Sequence, residues 1–343
     1  MKRKRQRSGK FLLVLSIFVV LLATAAAIIY SLELYTYLPI FGNQFRKYAL
    51  YDDVGNAFNG LLTHSQEEVK SWPVVHALER DCYVAPLPKP ENYNEKFTSY
   101  SDETITVKYS TERAYNSAIH YIDVRIAHPS QIRLALYGNE YSMKTRNYPS
   151  EIAKTVNAVA AIDGSFYNNR SSGWVIYHGK VCRSRPCWYD VLLIDSDGNL
   201  HAERDFNIEA SGILKKYDIV SAITFGPKLV ENGEMKYISS GAWQPLTPEP
   251  RAAICQYSDG LHYLLCVAEG RMPRSLGLTM QQFAKLLASK GVDFAYNLDG
   301  GQSGTLILGN HVKNVVAYGG QRQLGDIIYF ATAMENDGEM TAE

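Results

Sequence analysis

Two segments of the chain end an apolar run on a carboxylate and follow it with glycine. One reads Ala161-Ile162-Asp163-Gly164-Ser165-Phe166-Tyr167-Asn168. The other reads Asn297-Leu298-Asp299-Gly300-Gly301-Gln302-Ser303-Gly304-Thr305. A carboxylate at a strand end, beside backbone without a side chain, can approach a polar ligand closely. Two such carboxylates can serve as acid and as base or nucleophile on a glycosidic bond. Asp163 and Asp299 make that pair if their strand ends are neighbours in a sheet. Arg251 and, in Ser184-Arg185-Pro186, Arg185 offer planar forks suited to an anion. The Gly300 and Gly301 amides, Ser303 and Thr305 are candidate donors. Asn168 and Asn297 are placed to hold hydroxyls or to orient the aspartates.

Each of these has a plainer alternative. A single Asp-Gly is commonly a turn, and Asp259-Gly260 reads as only that. Asp299-Gly300-Gly301 alone could be a bulged hairpin. An isolated arginine such as Arg185 is commonly a surface ion-pair partner. Phe166, Tyr167, Trp174 and Trp188 could stack on sugar faces or simply fill the core. The eight histidines show no metal-ligand spacing, so no metal site is proposed. Asp163 and Asp299 could hold calcium with backbone carbonyls, but no dense oxygen-ligand loop is present. No nucleotide-binding loop or serine-hydrolase elbow occurs, and no cofactor is implied.

The elements that would carry these residues are mostly strands. Thr104 to Tyr109 and Ser117 to Ile126 alternate as strands. Ser150 can cap a helix with Ile152, Val156 and Val159 on one face, feeding a strand that ends on Asp163. Val191 to Ile194 and Ile219 to Phe225 are further strands. Asn232-Gly233 is a hairpin turn, and Asp259-Gly260 joins Ala252–Gln256 to Leu261–Val267. Thr279 with Gln282 makes a capping box, Phe283, Leu286 and Leu287 face inward, and Gly291 stops that helix. The expected class is α+β: a large mixed β-sheet with a few helices.

The chain of 343 residues has zero formal net charge, unevenly spread. Lys2, Arg3, Lys4, Arg5, Arg7 and Lys10 form a basic head at residues 1–10. Setting these six aside leaves 29 basic against 35 acidic side chains. No basic stripe is left for nucleic acid. Residues 11–30 are uncharged, and twenty residues of helix span about 30 Å, enough to cross a bilayer core. The expectation is one N-terminal transmembrane helix acting as a signal anchor, with everything after it outside the cytoplasm. A cleaved signal peptide, cut near Ala23-Thr24-Ala25-Ala26-Ala27, is the rival reading. Residues 31–100 read as a stalk or accessory region, with Pro86, Pro88 and Pro90 as a semi-rigid spacer. The main domain is expected over residues 101–335.

Four blocks in order resemble the phosphodiester glycosidase family. They are Asp163 to Asn168, Phe225-Gly226-Pro227-Lys228-Leu229-Val230, Arg251-Ala252-Ala253-Ile254 and Asn297 to Ser303. The departures are Gln302, where the family has a third glycine, and Ala252, where it has threonine. The resemblance implies a glycosidase acting on a glycosyl phosphodiester, with Asp163, Asp299 and Arg251 catalytic. It also implies Asn168, Arg185, Asn297, Gly300, Gly301, Ser303 and Thr305 in substrate binding. The partners implied are a glycan or sugar-phosphate substrate, and the membrane through the N-terminal helix. A leaving phosphate has a second pKa near ~6 and departs with little protonation, so it needs cations and donors. The alternatives are a carbohydrate-binding or envelope-scaffolding protein on the same fold with catalysis lost, and an ordinary glycosidase.

Cysteine leaves pairing open. An outside location permits disulfides, and Cys182 with Cys187 could close a small loop. A two-residue turn at Asp259-Gly260 would pair Cys255 with Leu264, leaving Cys266 diagonal and too distant to bridge. Cys82 is left over.

Overall fold

The computed structural model describes residue 72, residues 77–238 and residues 246–334. The basic head, the anchor and most of the expected stalk lie outside the described residues. Among the described residues no helix is long and apolar enough to cross a membrane.

Strands dominate and helices are few, as α+β requires. The expected single mixed sheet is instead three sheets, and every strand pair within them is antiparallel. The largest has eight strands, with Ser117–Ile126, His262–Ala268, Arg251–Gln256 and Phe294–Asn297 adjacent in that order. A five-stranded sheet places Ala160–Asp163 between Leu306–Leu308 and Asp326–Phe330, with Ile132–Leu136 beyond. The other five-stranded sheet runs Lys180–Arg185, Gly173–Tyr177, Ile219–Thr224, Asp190–Asp195, Leu200–Arg204.

All three sheets turn one face to a shared core. Val124, Ala252 and Ile254 reach it from the large sheet, Ala160, Ile162 and Phe330 from the second, Val175, Leu192 and Ile223 from the third. The alternate residues point outward into separate clusters. Ala253, Cys255 and Cys266 meet Phe283 and Leu287 of the helix Met280–Ala288. Ala161, Ile327 and Tyr329 meet Ile152 of the helix Pro149–Thr155. Val191 and Leu193 meet Ile208 and Ile213. A strand covered on both faces must be apolar at every position, which is why these strands read as unbroken hydrophobic runs.

Local expectations fare unevenly. Asn232 and Gly233 both have positive φ, and Val230 pairs Met235 across that two-residue turn. Cys255 does pair Leu264, and both Cys255 and Cys266 are buried thiols. Cys182 and Cys187 are also free, so the small loop bridge is not formed. Thr279 and Gln282 exchange both bonds of the capping box. The Pro149 helix is not capped by Ser150. It starts one residue earlier with proline at its first turn, where a missing N–H costs nothing. Residues 78–85 pack on the domain: Arg133 donates to the Glu79 and Cys82 carbonyls, and Ala85 is buried beside the Pro149 helix.

Candidate active site

Three elements end at one place. Asp163 closes the strand Ala160–Asp163, Asp326 opens the neighbouring strand Asp326–Phe330, and Asp299 follows the large-sheet strand Phe294–Asn297. The Asp299 amide donates to the Gly164 carbonyl at 3.1 Å, stitching two sheets together. The structure thus brings Asp163 and Asp299 together and adds Asp326, which sequence reasoning missed.

The carboxyls differ in depth. Asp163 is fully buried, and its Oδ1 accepts the Thr305 amide at 2.9 Å. Asp326 is equally buried, and its Oδ2 accepts the Ser165 amide at 2.7 Å and hydroxyl at 2.8 Å. Asp299 alone keeps some exposure, and its Oδ2 accepts from Arg322 at 2.5 Å. Burial, and then the Asp299 and Asp326 charges, hold the Asp163 carboxyl well above the ordinary range despite the Thr305 amide. Burial lifts Asp326 to about 6 against the pull of Ser165. Asp299 is raised as well: burial outweighs the opposing Arg322 and Ser303 contacts. Neighbouring buried carboxyls cannot all ionise, so the deepest keeps its proton.

Two of the expected glycine approaches are taken by protein. A Cβ on Gly164 would lie 2.2 Å from Asp326 Oδ2, and one on Gly300 would lie 2.3 Å from the Pro250 carbonyl oxygen. Both glycines admit protein atoms, so their role is packing. Gly301, at φ +62°, donates its amide to Pro250 and faces Arg271.

The two predicted cations differ in setting. Arg251 is buried, with Nε donating to the Leu278 carbonyl and one Nη to the Thr247 carbonyl; its charged neighbours are Glu249 and Arg271. Burial lowers its pKa to about 10. Arg251 lies on the Ala253 face of its strand, the face away from the shared core, because side chains alternate. Arg185 ends its strand in solvent. The buried arginine on that strand is Arg183, which donates to the Gly173, Tyr167 and Arg170 carbonyls.

Two other arginines serve the carboxylates. Arg322 donates to both Asp299 and the Ser303 hydroxyl, and its guanidinium lies 4.2 Å from the Phe166 ring centroid. Arg170 sits 5.0 Å from the Tyr189 ring centroid and 4.8 Å from that of Phe225, close enough to act on Asp299. Neither belongs to an Asp-Gly block. The available signal was a charge set into an apolar run for Asp326, and an arginine four residues before it for Arg322.

The remaining predicted residues surround this cluster. Asn168 donates to the Thr145 carbonyl and Asn297 to the Gly226 carbonyl. The Thr305 hydroxyl is spent on the Ser303 carbonyl. Five buried polar atoms here have no hydrogen-bond partner: Asp163 Oδ2, Asp326 Oδ1, Asn168 Oδ1, Asn297 Oδ1 and Arg322 Nε. Orphaned buried groups are rare and costly, and five of them gather in this neighbourhood. Among the described residues no group of three or more His, Cys, Asp or Glu side chains is arranged to hold a metal ion.

The chain belongs to the phosphodiester glycosidase family, whose model matches residues 156–331. Every carboxylate and arginine of the cluster lies in that span. The fold is similar to that of the zebrafish N-acetylglucosamine-1-phosphodiester alpha-N-acetylglucosaminidase catalytic domain, auto-inhibited by its pro-peptide. The identity is 18% and the TM-score 0.55, covering 76% of this chain and 94% of that one. A hypothetical protein from Synechocystis shares 15% identity at a TM-score of 0.50, over 66% of this chain and 62% of its own. At these identities the likeness is one of fold. No curated protein matches the chain.

Proposed function

We propose that the protein is a hydrolase that cleaves the sugar–phosphate bond of a glycosyl phosphodiester in an envelope or exopolysaccharide glycan. It would work outside the cytoplasm, held to the membrane by residues 11–30. The observation that carries the catalytic reading is the Arg322 guanidinium shared by Asp299 and Ser303 amid orphaned carboxyl and amide oxygens. Asp299 is the least buried of the three carboxyls, so it is the group to meet the anomeric carbon or the attacking water. Asp163 is sealed behind it and acts as a positioning residue: neutral, it leaves the negative charge to Asp299. The leaving phosphate is anionic and needs a cation more than a proton, and Arg322, backed by Arg170, supplies it.

The test is hydrolysis of a sugar-1-phosphodiester against an aryl glycoside of the same sugar, by the wild type and by Asp299→Asn. The phosphodiester is expected to be preferred and the variant to lose turnover. A fully active Asp299→Asn would sink the assignment. One observation favours a second reading, a binding protein without turnover: Arg322 already occupies Asp299 Oδ2. Tight binding with no hydrolysis of either substrate would establish it. The anchor is tested by fractionation: intact chain in the membrane supports it, and a soluble form lacking the first thirty residues overturns it.

A further inference from the structure

A cavity of about 180 Å³ lies toward the end of the strands remote from the carboxylate cluster. On the second sheet Ile132 pairs Phe330, which is four residues, or about 13 Å, along the strand from Asp326. Ile132 and Arg133 of that sheet form one wall. Val220 of the third sheet and His178, in the turn after Gly173–Tyr177, form another. Leu78 and Arg80, from the segment that packs on the domain, close it. The Leu78 amide donates to the Ser130 hydroxyl at 2.9 Å, and Arg80 pairs with Asp218 at 2.5 Å. Residues 78–80 therefore run from the head of one strand, before Ile132, to the head of another, before Ile219.

Two side chains on these walls keep a buried polar atom without a partner, Arg133 Nε and His178 Nε2. Arg133 is 6% exposed, and its terminal nitrogens donate to the Ser130, Glu79 and Cys82 carbonyls. The guanidinium is thus fixed with one N–H left over. His178 stands at φ 52°, in the left-handed region, with its ring edge-on to Tyr177 and Tyr83 at centroid distances of 4.1 and 4.9 Å. Burial, and then the Arg133 charge, push its pKa down to about 4, so the ring is neutral and its Nε2 can carry the proton. The one carboxylate on the walls, Asp195, is already engaged. Its Oδ1 accepts the Asp197 and Asn199 amides, and its Oδ2 meets His201 Nε2 at 2.8 Å. Unmet donors beside two guanidiniums call for an anion, and Leu78, Ile132 and Val220 next to them are apolar.

We infer that this cavity binds a small carboxylic acid with an apolar body. Its carboxylate accepts from Arg133 Nε and His178 Nε2, and its body lies against Leu78, Ile132 and Val220. Water answers the orphaned groups less well, because it finds no partners on an apolar wall. An apolar cavity of about 150 Å³ holds a benzene ring, so an occupant the size of benzoate fits. The site is separate from the carboxylate cluster, and its ligand need not be a substrate.

Benzoate is the probe, with benzyl alcohol as its neutral counterpart. Binding to the full chain is read by calorimetry for the wild type, His178→Asn, Val220→Trp and Arg322→Lys. Asparagine tolerates the left-handed backbone, so His178→Asn removes the ring without moving the turn. Val220 is only partly buried, so tryptophan there fills the cavity from one side. Benzoate is expected to bind the wild type about tenfold more tightly than benzyl alcohol, because hydrogen bonds to a charged group are the strong ones. His178→Asn should remove most of that preference, Val220→Trp should abolish binding of both probes, and Arg322→Lys should change neither. Equal wild-type affinities, no benzoate binding at millimolar concentration, or unchanged benzoate affinity in both cavity variants would overturn the site. Loss of benzoate binding in Arg322→Lys alone would place the anion at the carboxylate cluster and overturn it as well.

Discussion

Two buried polar clusters sit on neighbouring parts of this fold, and they are built on opposite principles. One joins Tyr109, His120, Glu269 and Ser275. Tyr109 and His120 Nδ1 are 2.8 Å apart, and His120 Nε2 meets Glu269 Oε1 at 2.9 Å. Glu269 also accepts from the Ser275 hydroxyl at 3.0 Å and the Val315 amide at 2.7 Å. Each carboxylate oxygen and each ring nitrogen has a partner. Burial lowers the His120 pKa in spite of Glu269, which suits a neutral ring donating one way and accepting the other. The second cluster is Asp163, Asp299 and Asp326, where carboxyl oxygens lack partners and like charges face one another. Buried titratable groups are common to both, so burial alone does not mark a site. The two clusters differ in that the second leaves hydrogen-bonding capacity unmet, as Arg133 Nε and His178 Nε2 also do elsewhere in the fold.

The largest expected difference comes from changing one carboxylate in each. Asp299→Asn should cost turnover about a hundredfold or more, about 3 kcal/mol of transition-state stabilisation, with the fold intact. Glu269→Gln should do the reverse. It weakens a satisfied buried network, lowering stability by about 1–3 kcal/mol, and leaves the turnover of folded molecules largely intact. Denaturant melts and kcat measured side by side decide it. A stable but inactive Glu269→Gln would erase the contrast.

Next in size is the pair of arginines. Arg251 was expected to recognise phosphate, yet two of its nitrogens hold the Leu278 and Thr247 carbonyls. Arg322 instead bridges Asp299 and Ser303. Arg322→Lys should therefore cut hydrolysis of the phosphodiester by about a hundredfold and spare an aryl glycoside more, because an ammonium cannot reproduce the planar fork. Arg251→Lys should lower the melting temperature without changing the ratio of the two substrates. The opposite assignment of losses would restore Arg251 to the site.

A smaller effect follows from pH. Asp326 is raised to about 6 by burial, against about 3.9 for an unfolded aspartate. The folded chain then binds more protons than the unfolded chain between these values, so stability falls as pH rises from about 4 to about 6. The full cost above that window is about 3 kcal/mol for this group. Asp326→Asn should flatten the decline, and urea midpoints at pH 4, 5, 6 and 7 read it directly. An unchanged slope in the variant would show that Asp326 is ionised throughout.

Much of the fold was legible where the signal is local. The Asn232-Gly233 turn, the Cys255–Leu264 register and the Thr279–Gln282 box depend on residues close in sequence, and all three are present. The division into three sheets was not legible. Ile132–Leu136 pairs with Asp326–Phe330, a partner nearly two hundred residues away, and unbroken apolar strands do not say which neighbour they prefer. The meeting of Asp163 with Asp299 was legible because Asp-Gly at a strand end is a local pattern. Asp326 and Arg322 escaped because their places beside Asp163 and Asp299 depend on contacts distant in sequence. Arg251 holds the Leu278 and Thr247 carbonyls, and a fork in a family block looks the same in sequence whether it faces a ligand or a carbonyl.

The smallest predicted effect tests side-chain alternation. Arg183 and Arg185 lie two apart on Lys180–Arg185, and strict period two would give them the same face. The register is regular between them, with Arg185 opposite Gly173 and Arg183 opposite Val175, so they share a face; the strand ends at Arg185, and only Arg183 turns under the chain. Its guanidinium ties together the Gly173, Tyr167 and Arg170 carbonyls, bracing the turn that follows Asp163. Arg185 has none of these contacts. Arg185→Ala should leave stability within about 0.5 kcal/mol and turnover unaltered, as for a surface residue. Arg183→Ala removes three backbone anchors and should cost about 1–3 kcal/mol, with turnover lowered through the loosened 164–170 loop. Thermal melts and kcat on both variants separate the two. A clear loss of phosphodiester binding in Arg185→Ala would bring that arginine back to the ligand and place the edge of this sheet at the site.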